Sequence, residues 1–463
     1  MSEITPRQPK RPLIWSDEVL DLQDKLPPTE IEIYIVGGAV RDAYLHRPIK
    51  DLDLVTSESA IKFARQLANS LQGDVFVLDA ERDVARVLLP DALTIDIATF
   101  RGADLLADLQ DRDFTLNAMA VDLKGDLNLL IDPLDGEQDI MAKRVRRCSP
   151  DAIARDAIRG LRAIRQSVQL GFRLDAATLA DVRAYGVRLR DTSGERIRDE
   201  LFKLLALPQP SRALRVAEHI GLLEVIFPNL TGDNAGVWEQ TLRVIDKLNT
   251  LLSAVSFART DNTAATFEMG MVVIQFDRFR AQLNQHLLHI WVNDRPHRAL
   301  LMLAVLLREQ PVEIAEQHSD ALRLSNAEKQ RLLTVIKHYR HPVFSETVTP
   351  LLAHRYWYLL GTAGLDIMLV TLADTLGTQI LDHRTWLLLI ERVVLLLEAY
   401  YLRYEEIVMP PPVVDGNLLL SRLHLAPGPI IGELLTLIRE GQVEKRVVTV
   451  EDALEAAKAY LVD

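Results

Sequence analysis

Cysteine is almost missing from this chain: Cys148 is the only one in 463 residues, which excludes an internal disulfide and a thiolate-rich zinc site. Long apolar runs are missing too. LLMLAVLL at 300–307 and VVLLL at 393–397 fall well short of the roughly 20 residues that span a bilayer, so no membrane association is expected. The opening residues, MSEITPRQPKRPLIWSDE, lack the apolar core of an export signal, and a cytoplasmic location is the expectation. Nor is there a surplus of base. With 53 Lys and Arg against 65 Asp and Glu, the formal net charge is -12, unlike a generic polyanion binder that works by excess positive charge. No fixed-period repeat stands out.

What is present is an ordinary globular balance of 48% hydrophobic and 25% charged residues, in a chain too long for one core. Charge is unevenly placed. Lys143, Arg144, Arg146, Arg147, Arg155, Arg159, Arg162 and Arg165 face only Asp151 and Asp156 between Met141 and Arg165, so an acidic protein can carry one basic surface. An α+β fold is predicted. Residues 1–30 read as a loose lead-in with a short helix near Ser16 to Leu26, and 31–145 as a sheet domain of β-branched strands alternating with helices. Helical periodicity then runs almost to the end, interrupted by prolines. It divides into a neck over 146–215, a body over 216–405 and a tail over 406–463.

The stretch around which the chain is organised is IEIYIVGGAVRDAYLHRPIKDLDLVT, residues 31–56. It runs from a strand through Gly37-Gly38 into a short helix, and then into a strand with Asp51 and Asp53. Gly38 lets a phosphate approach the helix start, and Arg41, in the first turn, can reach the same phosphate. Residues i and i+2 of a strand share a face, so Asp51 and Asp53 repel unless a cation lies between them. Asp96, in the strand-like LTIDIATF, is a third carboxylate; converging, the three suit two Mg²⁺ ions and nucleotidyl transfer. The alternatives are a plain turn for the glycines, a surface helix charge for Arg41 and structural loop-edge acids for the aspartates.

In RDFTLNAMA, Asp113 can orient Arg112, and Asn117 can bond a sugar hydroxyl, unless Asp113 or Thr115 merely caps a helix. Asp132, Asp135 and Gly136 in DPLDG read as a turn. A helix is predicted from about Asp151, with Arg155, Asp156, Arg159 and Arg162 on one side and Ile153, Ala157, Leu161, Ile164 and Val168 on the other. An Asp and an Arg one turn apart can read the edge of a base. A solvated, ion-paired face is the alternative.

Taken in order, VGGAVRD at 36–42, KDLDLVT at 50–56, IDIATFR at 95–101, RDFTLNAMAVD at 112–122, DPLDG at 132–136, RDAIRGLRAIRQSVQLGF at 155–172 and GERIRDELFKLL at 194–205 resemble the class II tRNA nucleotidyltransferase and bacterial poly(A) polymerase family. The resemblance implies a polymerase-β-like head followed by an all-α neck, body and tail. It implies Mg²⁺ on Asp51 and Asp53, with Asp96 as a further catalytic carboxylate. Gly38 and Arg41 would meet the triphosphate, and Arg112 with Asn117 the triphosphate and ribose. Asp156 and Arg159, supported by Arg162 and Arg165, would pair with the base. The implied reaction adds C and A from CTP and ATP to the 3′ end of tRNA, without a nucleic-acid template and with release of pyrophosphate. Addition of CC only, poly(A) synthesis and a catalytically inert RNA-binding relic are the alternatives. The tail at 410–435 is similar to the family's C-terminal piece and is expected to help hold tRNA.

Three departures stand out. Arg155 replaces the family's usual Glu. Only ten residues separate Arg101 from Arg112, where many complete CCA-adding enzymes have a longer loop, and short loops resemble those of CC-only enzymes. The body resembles an HD phosphohydrolase domain, yet Gln240, Arg308 and Glu309 stand where its metal-binding residues would be. A scaffold without its own metal is therefore expected, with His338 and His341 in packing or surface positions.

Overall fold

A computed structural model describes residues 5–49, 51–89, 94–230, 235–257, 266–380 and 382–462. The chain forms two compact units, residues 1–196 with 216–226, and residues 197–215 with 227–463.

The elements that position the site all lie in the first unit. In chain order they are α1 (Asp17–Asp24), β1 (Ile33–Val36), α2 (Gly38–Leu45), β2 (Asp51–Thr56), α3 (Ala60–Leu71), β3 (Asp74–Asp79), β4 (Val84–Leu88), β5 (Thr94–Thr99), α4 (Leu105–Gln110), β6 (Ala120–Asp122), α5 (Gly136–Met141), α6 (Ala152–Arg155) and α7 (Ile158–Leu170). The six strands form one sheet in the order β3-β4-β5-β2-β1-β6. Only β2 and β5 run parallel; the other neighbours are antiparallel. This is the α+β head the sequence predicts.

Alternation explains which side of the sheet carries chemistry. Leu52 and Leu54 of β2 and Ile95 and Ile97 of β5 are buried, while Asp51, Asp53 and Asp96 take the intervening positions. The parallel register sets Asp53 beside Asp96, and β4 sets Arg86 on the far side of Asp96. Helix α3 covers the sheet with Phe63, Ala64 and Leu67, each large side chain contributing roughly 1.5–3 kcal/mol by burial. Its first backbone N–H groups are satisfied by the Asp83 carboxylate, from Ala60 at 2.8 Å and Ile61 at 3.0 Å.

Two expectations are corrected. The lead-in is not loose. Arg7 and Leu130 exchange backbone hydrogen bonds of 3.0 and 2.8 Å, and the Arg7 guanidinium reaches Glu137 at 2.6 Å and Asp132 at 3.2 Å. Contacts so distant in sequence leave no local periodicity to read. The basic helix is also not continuous. It breaks at Asp156, whose backbone is extended (φ -147°, ψ 97°), so that α6 and α7 are separate. The DPLDG reading holds: Asp132 accepts from the backbone of Gly136 at 2.6 Å and of Glu137 at 3.0 Å, which closes the turn into α5.

The second unit is helical. The apolar run at 300–307 lies in the helix His297–Leu307, whose described residues are buried almost throughout. The helices Ala235–Ala254 and Ala363–Thr378 approach closely, since a side chain on Gly377 would meet the Val244 backbone nitrogen at 2.9 Å. Arg295 and Glu328 form a buried two-pronged pair at 2.7 and 2.8 Å. Val414, Leu419, Leu434, Ile438, Val447 and Ala453 make a separate small core in the C-terminal piece. Among the described residues no single helix is long and apolar enough to cross a membrane; Pro350–Leu360 and Ala363–Thr378 reach that length only as a pair bent by 108°.

Candidate active site

The Gly-Gly turn owes its shape to the carboxylate it faces. Gly37 has φ 75° and ψ -135°, a conformation open to glycine and strained for other residues. A Cβ there would lie 3.0 Å from Asp53 Oδ2 and 3.2 Å from Arg112 Nη1. Any side chain would thus enter the gap between that carboxylate and that guanidinium.

Asp53 is half-buried, and among the described residues nothing donates a hydrogen bond to its carboxylate. Burial raises its pKa above the ordinary carboxylate value; Arg112 opposes this, and the charges of Asp96 and Asp51 add to it. The carboxylate oxygens of Asp51 and Asp53 suit a hard divalent cation, which would relieve the repulsion. Asp51 is exposed at the strand's start. Asp96 is differently placed from what the sequence suggests: Arg86 grips it through Nε–Oδ1 at 2.7 Å and Nη2–Oδ2 at 2.9 Å. A cation must compete with Arg86 for this third carboxylate. The register of β4 could have flagged Arg86, since VARVLL places it on the same face as Asp96.

Arg41, Arg112 and Arg162 are each aimed by an acid. Arg41 bonds Asp42 at 3.0 and 2.8 Å and donates through Nη1 to Asn117 Oδ1 at 2.7 Å. Asn117 is therefore not a free sugar ligand: it is buried, and its amide nitrogen donates to Asp113 at 3.0 Å and to Gln166 at 3.1 Å. Arg112 is oriented by fully buried Asp108, at 3.0 and 2.9 Å, and not by Asp113 as its neighbouring position suggests. Asp113 instead holds Arg162, with both contacts at 2.8 Å. Burial raises the Asp113 pKa, but Arg162, Asn117 and the Phe114 N–H outweigh it and bring the carboxyl down to about 2. Asp108 went unread because it stands in no motif, and Gln166, though inside the motif at 155–172, because its partner Asn117 lies 49 residues away.

The break at Asp156 separates the two residues expected to read a base. Asp156 accepts from Arg196 Nη2 at 2.7 Å. Arg159 turns back to the backbone, donating to Asp111 O at 2.7 Å and to Arg112 O at 3.4 Å. Arg155 Nη1 bonds Asp111 Oδ1 at 2.8 Å, and its Nη2 bonds Ser149 at 2.9 Å. Arg165 Nη1 lies toward Gln169, at 3.1 Å on the exposed side of α7. The residues 102–111 are thus no open loop. Leu105 and Leu109 of α4 are buried, Asp108 is buried with them, and Asp111 is tied to two arginines of the reader.

In the second unit, Arg308 and Glu309, read in the sequence as replacing HD ligands, are both held in polar contacts. Arg308 is buried and bonds Asp374 at 2.9 Å and Thr241 at 3.0 Å, and Glu309 accepts from Arg340 at 2.9 Å. Nearby in the same unit, His286 and His297 both bond Asp366 Oδ1, at 2.7 and 2.8 Å, and Arg331 bonds its Oδ2 at 2.9 Å. Among the described residues this is the one His and carboxylate group close enough to share a metal ion. The Trp291 indole donates to His297 Nδ1 at 3.2 Å, which places the imidazole proton on Nε2, where it serves Asp366 rather than a metal.

A Gly-Gly turn over an Asp-x-Asp strand, ringed by acid-aimed guanidiniums, defines a nucleotidyltransferase head. The chain matches the family described as Poly A polymerase head domain over residues 33–105 and 102–146, and the one described as probable RNA and SrmB-binding site of polymerase A over 171–233. It is 29% identical to a CC-adding tRNA nucleotidyltransferase of Synechocystis over 94% of both chains. With a CC-adding tRNA nucleotidyltransferase of Geobacter sulfurreducens it shares 43% identity, over 38% of this chain and 40% of that one. An A-adding tRNA nucleotidyltransferase of Deinococcus radiodurans is 28% identical over 92% of this chain and 95% of its own. In fold it resembles an apo CCA-adding enzyme, with TM-score 0.65 and 22% identity over 96% of this chain and 95% of the other. The chain thus matches the Poly A polymerase head domain in its first unit and is similar to tRNA nucleotidyltransferases over nearly its whole length; it is an enzyme of the tRNA nucleotidyltransferase type.

Two measurements test this geometry. Gly37→Ala should cost about 1–3 kcal/mol of stability in chemical denaturation and cut nucleotide incorporation roughly 100-fold through misplacement of Asp53 and Arg112. Asp113 stabilises the head above its ordinary pKa of 3.8, and this is lost as pH falls through about 2. Asp113→Asn should therefore flatten the acid limb of a stability profile between those values.

Proposed function

We propose that this enzyme adds the two cytidines of the tRNA 3′ end, using CTP and releasing pyrophosphate. The observation that carries the choice of CC is the segment 102–111. Its helix is anchored by Leu105, Asp108 and Leu109, and it is clamped to the reader through Asp111 with Arg155 and Arg159. A pocket that reads C and then A must change shape between additions, and a packed, ion-paired segment resists that change. The near-full-length likeness to a CC-adding relative supports the same reading.

In this reading the 3′-terminal ribose hydroxyl attacks the α-phosphorus of CTP, a new P–O bond forms, and the bond to pyrophosphate breaks. A divalent cation, Mg²⁺ in this proposal, held by Asp51 and Asp53, would favour the deprotonated hydroxyl and brace the departing charge. Arg112 and Arg41 meet the triphosphate, and Gly38 lets it approach the start of α2. Asp156 and Arg159 exchange their present partners, Arg196 and the Asp111 carbonyl, for the edge of cytosine, with Arg162 and Arg165 behind them. Because each guanidinium is already held in place, positioning and charge stabilisation supply nearly all the catalysis. Asn117 acts through Arg41 and not on the sugar directly. The body and tail grip tRNA by shape, and a cytoplasmic setting follows from the substrate. Full CCA addition is the second reading, favoured by the fold's likeness to a CCA-adding enzyme described in complex with ATP.

Product lengths decide between them. With tRNAs ending before, within and after CC, the enzyme should extend to CC with CTP and leave a CC end unextended by ATP. Addition of one A to that end would establish the second reading, and long A tails would make it a poly(A) polymerase. Asp53→Asn should lower incorporation by about 1,000-fold or more, the scale of several kcal/mol of lost charge stabilisation. Undiminished incorporation would sink the metal-dependent chemistry.

A further inference from the structure

The second unit contains a cavity of about 260 Å³ at the end of the helix Ala235–Ala254, beside the helix Arg280–Leu287 and the start of the helix His297–Leu307. Leu252 and Leu288 line its apolar side; Ser253, Asn284 and Arg298 line its polar side. Arg298 is unusual among the inward-facing arginines. Arg295 has Glu328, Arg308 has Asp374 and Arg112 has Asp108, but among the described residues no carboxylate pairs with Arg298. Its Nη2 donates to Asn249 Oδ1 at 2.6 Å, and Asn249 is held in that orientation by donating to the Pro208 carbonyl at 2.9 Å. Its Nε is buried without an acceptor, and burial lowers its pKa.

A desolvated guanidinium without a counter-charge is costly. The carbonyl ends of the helices Ala235–Ala254 and Arg280–Leu287 lie near, but a helix end carries only about half a charge. The other polar groups point to the sign of what is missing. Asn284 accepts from the Phe257 N–H at 3.3 Å, which leaves its amide NH₂ to donate. A guanidinium with Nη1 uncommitted and an amide donor, both lining one space, match the oxygens of a phosphate. The leucine side suits the sugar or base to which a phosphate is attached.

We infer that this cavity is a phosphate-binding site, separate from the catalytic head, in which Arg298 and Asn284 hold a phosphate of an RNA backbone or of a free nucleotide or pyrophosphate. The RNA source rests on the tRNA reading above; the free source does not.

The full-length chain and its Arg298→Met variant test it in two arms. In the first, binding of a tRNA lacking CCA is followed against salt. If the phosphate is the RNA's, the slope of log K on log salt becomes shallower by about one in the variant. In the second, heat unfolding is followed with and without inorganic pyrophosphate in EDTA, which strips divalent cations from the head. If the phosphate is a free one, pyrophosphate raises the wild-type midpoint and raises it less in the variant. Asn284→Asp, which supplies the missing carboxylate, should raise the ligand-free midpoint and remove that response. An unchanged salt slope together with an unchanged pyrophosphate response overturns the site. Failure of Arg298→Met to fold also overturns it, because the guanidinium is then a strut and not a receptor. Either failure leaves nucleotide incorporation at Asp53 intact, so this site and the proposed reaction fail separately.

Discussion

The head depends on one unfavourable arrangement, a half-buried Asp53 carboxyl that feels the charges of Asp96 and Asp51. Strand alternation imposes it, since the same β2 that sends Leu52 and Leu54 into the core must send Asp51 and Asp53 the other way. The surroundings then accommodate that charge. Gly37 withholds a side chain from the gap, Arg112 stands across it, and Arg86 takes the charge of Asp96. What the protein itself leaves unneutralised is where the proposed reaction puts a cation and a triphosphate.

Around that centre no arginine is left to wander. Asp108 aims Arg112, Asp42 aims Arg41 and Asp113 aims Arg162, and Asn117 ties the second of these to the third. Pre-aimed donors do not have to reorganise as charge develops, which is why such sites catalyse phosphoryl chemistry with little covalent participation. The proposed base reader is coupled to the same frame through Asp111. Its hold on Arg155 and Arg159 joins the choice of nucleotide to a packed helix rather than to an open loop.

The second unit meets buried charge in a different way. Arg295, Arg308 and Asp366 are enclosed among helices, and each has an opposite or hydrogen-bonding partner brought from far along the chain. Arg308 supplies a fixed positive charge against Asp374. Arg298 is the exception, facing a cavity with a single amide partner.

The local patterns of this chain were enough to place its sheet strands, its glycine turn, the shared face of Asp51 and Asp53, and the motifs from which the family can be recognised. All of these follow from periods of two or 3.6 residues and from residue types at short spacing. Only the tertiary structure decided which acid serves which base. Asp108 rather than Asp113 orients Arg112, Asn117 is spent on Arg41, Asp96 is held by Arg86, and the basic helix breaks at Asp156. Each of these turns on partners whose approach is set by the packing of separate elements, and an ion pair has no sequence period. The break, the strapped lead-in and the lone Arg298 became visible only when distant segments met.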